Sequence, residues 1–81
     1  MIRVKLREAL IEKEFKDGKS LSMKDVSLAT GIHVVTLSKI TKNRGYNPTL
    51  ELIDKLCAYF DCELSDLLVR VRDEEKDILS E

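Results

Sequence analysis

Tryptophan is absent from this 81-residue chain, and two Phe and two Tyr are its only aromatics. Leu, Ile and Val must therefore carry the packing. One Pro and three Gly are too few for a many-turned β fold, and they exclude a collagenous or low-complexity chain. Two Cys and one His supply neither a disulfide framework nor the roughly four ligands of a structural zinc site. Cys57 and Cys62 read instead as buried free thiols that pack as small apolar side chains. No apolar run approaches the ~20 residues of a membrane span, and the opening MIRVKLREAL is too charged for a secretory signal. The expectation is one small, soluble, helical, cytoplasmic domain, with no membrane association.

What the chain has in abundance is charge. Charged residues make up 36% of it, although the net charge is only −1. The two signs are unevenly placed. Up to Leu50 there are ten Lys/Arg against five Asp/Glu, and from Glu51 onward four against ten. A basic half calls for an anionic partner if it coincides with a recognition element.

Periodicity divides the chain into short helices. The first spans about residues 4–17, with Leu6, Ala9, Leu10, Ile11 and Phe15 as an apolar stripe and Gly18 as its C-cap. A second starts from Ser22 as N-cap, with Asp25 completing an acidic capping box, and ends at Gly31. A third opens near His33 and runs to about Lys42. The NRGYNP stretch reads as a loop. A fourth follows Thr49, with Ile53, Leu56, Cys57 and Phe60 at helical spacing, and stops at Asp61. Leu64, Leu67 and Leu68 mark a fifth. Ile2 and Val4 alternate with basic residues, as do Val69 and Val71, so the two ends can pair as a two-stranded ribbon. The fold class is all-α, a compact five-helix domain over residues 1–72, followed by an acidic C-terminal tail over 73–81.

Residues 23–40, MKDVSLATGIHVVTLSKI, carry the functional signal. Ser27 is small where two helices must touch, and Gly31 tolerates the positive φ of a tight bend. Val26, Ile32, Leu37 and Ile40 pin both helices to a bundle. These are the requirements of a helix-turn-helix, whose second helix enters the DNA major groove. With NPTLELIDKLCAYFDCELSDLL, the segment resembles the Cro/phage-repressor (Xre-type) helix-turn-helix regulators over about residues 4–68. The resemblance implies five helices, DNA binding through helices two and three, and a homodimer on operator sites.

On that reading, helical geometry assigns candidate roles. Val35, Thr36, Ser38 and Lys39 are the base-edge candidates: an outward Val suits a thymine methyl, and Lys suits guanine O6 and N7. Val34 is expected to turn partly inward. Ser22, Lys24, His33, Lys42, Asn43, Arg44 and Tyr46 are the phosphate candidates, which position without reading sequence. His33 has capping as its alternative role, and Tyr59 belongs at the edge of the core. No catalytic constellation, cofactor loop or metal cluster is evident, so neither an enzyme nor a cofactor is expected. The function expected is a sequence-specific transcriptional regulator acting as a repressor, with no small-molecule ligand. The alternative is an antitoxin-like or adaptor module that uses the same fold against a protein.

Overall fold

The computed structural model describes residues 1–43 and 46–72. Arg44 and the acidic tail, residues 73–81, lie outside the described residues. The elements in chain order are β1 (Ile2–Val4), α1 (Leu6–Asp17), α2 (Met23–Thr30), α3 (Val34–Lys42), α4 (Leu50–Phe60), α5 (Leu64–Leu67) and β2 (Leu68–Arg70).

Local chemistry sets the helix ends. Ser22 accepts a hydrogen bond from the Asp25 N–H at 3.2 Å, and the Asp25 carboxylate accepts from the Ser22 N–H at 2.9 Å. The two bonds satisfy otherwise orphaned donors at the start of α2, as the expected capping box requires. Thr49 caps α4 by accepting from the Leu52 N–H at 3.1 Å. Gly18 and Gly31 end α1 and α2 in the left-handed conformation, at φ 68° and 79°. Asn43 and Asp61 do the same for α3 and α4, because short polar side chains tolerate that region better than most.

One core joins these elements. Val4, Leu6, Val26, Ile32, Leu37, Ile40, Ile53, Leu56, Phe60 and Leu67 are buried, so every helix and the first strand contribute. In α4 the buried set Ile53, Leu56 and Phe60 repeats at i, i+3, i+7, the pattern of a helix with one inward face. α1 departs from the expected stripe. Leu6 is buried and Ala9 and Leu10 are half-buried, but Ile11 is exposed and Phe15 is 85% exposed. At 100° per residue, Phe15 stands half a turn from Leu6, so the two cannot share a face. The inner side of the last turns is polar instead. Lys13 pairs with Asp17 at 3.3 Å and lays its ammonium 4.9 Å from the Tyr59 ring centroid. Tyr59 is half-buried and meets Phe60 edge-on at 5.0 Å, at the margin of the core as expected. Cys57 and Cys62 are free thiols but half-buried rather than buried, because both lie at that same margin.

The terminal ribbon forms within the chain. β1 and β2 pair antiparallel, Ile2 with Arg70, Arg3 with Val69 and Val4 with Leu68. The apolar partner of Val4 is therefore Leu68, and Val69 stands beside Arg3, partly exposed. Leu67 is fully buried and its C=O accepts from the Lys5 N–H at 2.7 Å, which fixes this register.

A candidate nucleic-acid interface on the helix-turn-helix

The turn between α2 and α3 is short and pinned at both sides. The Gly31 N–H donates to the Ser27 C=O at 2.8 Å, and the Thr30 hydroxyl donates to the Val26 C=O at 2.7 Å while accepting from the Ile32 N–H. Ile32 is buried immediately after the bend. The residue that begins α3 is thus held by a bonded turn on one side and a core anchor on the other.

Within α3, Leu37 and Ile40 face the core. Successive 100° steps from Leu37 then place Val35, Lys39 and Lys42 on the opposite side, with Ser38 at its flank. Exposure follows that geometry. Val35 is 66% exposed, Lys39 and Lys42 are exposed, and Thr36 and Ser38 are half-buried. Val34 lies nearer the inner face but is still 44% exposed, being in the first turn. His33 occupies the N-cap position of α3 by its backbone, with no side-chain cap bond, and its ring is exposed. The N–H groups of Val34, Val35 and Thr36 therefore have no partner within the helix.

Among the described residues, Lys24, Lys39 and Lys42 enter none of the ion pairs, which are Arg3–Glu8, Lys13–Asp17 and Glu51–Lys55. The Lys39 ammonium stands 5.9 Å from the centroid of the half-buried Tyr46 ring, within cation–π range. Lysines without acidic partners retain their full attraction for an external anion.

Two of the sequence-derived phosphate candidates are occupied within the chain. Asn43 accepts from the Val4 N–H at 2.8 Å and donates to the Val4 C=O at 3.1 Å and the Thr41 C=O at 3.3 Å. Its amide closes the outer edge of β1 and ties the end of α3 to the N-terminal strand. Sequence could not show this, because the partner lies 39 residues away. The Ser22 hydroxyl is held in the capping box, donating to the Asp25 carboxylate at 3.1 Å. The Ser22 backbone N–H and then its hydroxyl, followed by the nearby Lys19 and Lys24, hold the Asp25 carboxyl below the usual carboxylate range. An anion approaching the start of α2 therefore meets a resident carboxylate. The region also exposes an apolar residue unremarked in the sequence, Leu28 on α2, at 77%.

The described residues contain no group of three or more potential metal ligands, and no helix long and apolar enough to cross a membrane. A bonded glycine turn between two short helices, with the second presenting a basic stripe that enters no ion pair among the described residues, is the arrangement of a helix-turn-helix DNA-binding domain. The model of the Cro/C1-type HTH DNA-binding domain matches residues 5–73, and the chain belongs to that family. No curated protein matches it.

Proposed function

We propose that the protein is a sequence-specific transcriptional regulator, a repressor, that inserts α3 into the DNA major groove. The observation that carries this reading is the outer stripe of α3, where an exposed Val precedes two lysines free of acidic partners among the described residues. Val35 is suited to a thymine methyl, while Lys39 and the flanking Ser38 are suited to base edges. Thr36, half-buried, contributes from the side of the helix. Lys42, Lys24 and His33 approach the sugar–phosphate backbone, with Tyr46 supporting Lys39; Arg44, by its place in the sequence alone, is a further phosphate contact. Asn43 and Ser22 serve the fold, by the bonds described above. Repression follows from occupancy: a bound domain of this kind blocks polymerase at an operator.

One α3 offers only a few side chains to base edges, so a specific operator calls for two subunits about 34 Å apart, one turn of B-DNA. The proposed dimer surface is the apolar depression bordered by Ile2, Leu64, Leu68 and Val69. It is bordered by both strands of the ribbon and by α5, so a second subunit seated there covers apolar surface of all three elements. Val69→Asp should then leave a folded monomer with weakened operator affinity. Loss of the cooperative thermal transition would instead assign Val69 to the intramolecular core.

A second reading, an adaptor that binds a protein through this face, draws on the exposure of Leu28, Val34 and Val35. Selection from a randomised duplex pool, with sequencing of the bound fraction, separates the two. A regulator enriches a short motif, and its affinity falls steeply with salt, by about 0.9 in the log–log slope per phosphate neutralised. An adaptor enriches none and shows no steep salt dependence.

A further inference from the structure

The end of α4 brings together two thiols that the DNA-binding reading does not use. The Asp61 N–H donates to the Ala58 C=O at 3.3 Å, and the Cys62 N–H donates to the Cys57 C=O at 3.1 Å. Asp61 is left-handed at φ 51°. These two bonds around a left-handed residue are the Schellman motif, which closes a helix by folding the chain back on its last turn. The motif brings the side chain three residues before the last helical one against the one just past the left-handed residue. Here those side chains are Cys57 and Cys62, which the motif places side by side at the end of the helix. The juxtaposition is a consequence of local backbone geometry and needs no distant contact.

The two thiols differ in access. Cys62 borders a surface depression together with Glu8, Glu12, Lys13 and Asp66, so a small molecule reaches it from solvent. Cys57 does not border that depression, although both residues are half-buried against the core. Burial, then the Cys57 thiol, Asp66 and Glu63, push the Cys62 thiol above its ordinary range. Cys62 is accordingly a neutral thiol in the main, and exchange proceeds through its minor thiolate fraction.

We infer that Cys57 and Cys62 form a site of reversible oxidation, closing to an intramolecular disulfide by exchange with a small-molecule disulfide such as oxidised glutathione. In the first step the Cys62 thiolate attacks one sulfur of the small disulfide. That S–S bond breaks, a mixed disulfide forms on Cys62, and one small thiolate leaves. In the second step the Cys57 thiolate attacks the Cys62 sulfur and displaces the second small thiolate. The two protons from the cysteines end on the two small thiols, and two electrons pass from protein to oxidant. Because the Schellman bonds already hold the cysteines together, the second step outruns attack by any external thiol.

The experiment incubates the full chain in glutathione buffers of rising oxidised-to-reduced ratio, quenches with acid and alkylates the remaining thiols. Intact mass and peptide mapping then read the product. The expected species is a monomer lighter by two hydrogen atoms, carrying no alkyl group, with Cys57 linked to Cys62 in one chain. Cys57→Ser should stop at the first step and accumulate a single glutathione adduct on Cys62. Persistent glutathione adducts on the unmodified chain, disulfide-linked dimers, or two alkylated thiols at every ratio would each overturn the inference. The measurement on the unmodified chain decides the matter even if the serine variant fails to fold.

Discussion

Replacing Asn43 tests the fold and the DNA-binding face in a single experiment. Its amide makes two bonds to the backbone of Val4, a buried residue, and its own backbone is left-handed at φ 55°. Asn43→Gly keeps the backbone conformation without strain but leaves the Val4 N–H and C=O without their partner. A buried donor stripped of its partner costs about 1–3 kcal/mol, and water at the ribbon edge recovers part of the carbonyl loss. The net expectation is a destabilisation of about 2–3 kcal/mol. For a domain of this size, 1 kcal/mol corresponds to roughly 4–8 °C, so Tm should fall by about 10–20 °C in a far-UV circular dichroism melt. Asn43→Ala should fall further. A left-handed alanine costs roughly 1–2 kcal/mol, less what the unfolded state loses in freedom relative to Gly, which leaves about 0.5–1 kcal/mol. The same variants separate structure from recognition. Measured well below Tm, Asn43→Gly should keep the affinity for duplex DNA. An unchanged Tm together with affinity weakened about equally for every duplex would refute the reasoning and make Asn43 a phosphate contact, a neutral one that leaves the salt slope as it was.

Lys39→Ala should lower discrimination among operator variants by roughly 1–3 kcal/mol at one base pair, while Lys42→Ala should weaken every sequence about equally. Competition binding against single-substitution duplexes checks both, and the reverse pattern would mean that α3 presents a different stripe. Phe15→Ala should change stability by less than about 0.5 kcal/mol, because the ring is exposed, whereas Leu37→Ala, in the core, should cost about 2–5 kcal/mol in denaturant unfolding. The carboxyl of Asp25 ionises more readily in the folded chain than in the unfolded one, chiefly through the Ser22 N–H. Its contribution is therefore present above the ordinary carboxylate range and is lost as pH falls through its lowered folded value. A pH series of melts should show Asp25→Asn losing less stability than the unmodified chain on acidification, and parallel curves would remove Asp25 from the cap.

How far the sequence reveals the structure depends on the range of the interaction concerned. Ser22 with Asp25, Gly31, Thr49 and the Ile53–Leu56–Phe60 repeat act within a turn or two of helix, and each is found where the pattern predicts. The outward direction of Val35, Lys39 and Lys42 was equally legible, since it follows from the angular step once Leu37 faces inward. Phe15 shows how a stripe can mislead. Ile11 and Phe15 share a face with each other but not with Leu6, and only the packed bundle decides which of the two faces turns inward. The ribbon shows the same limit. Alternation predicts that the ends pair, yet the register is set by the bond from Lys5 to the buried Leu67, so Val4 meets Leu68. Asn43 is the furthest from reach, because a polar residue after a recognition helix has the composition of a phosphate contact whether or not a distant strand occupies it.

The central claim is that DNA is met by α3 and the residues flanking it. It is tested most directly by the amide spectrum of the isotopically labelled protein as a short duplex is added at low salt. The account predicts that shifts concentrate in His33 to Lys42 and around Lys24 and Tyr46, and that they reverse when salt is raised. Shifts gathered instead on the exposed side of α1 around Ile11 and Phe15, or none at all, would contradict it.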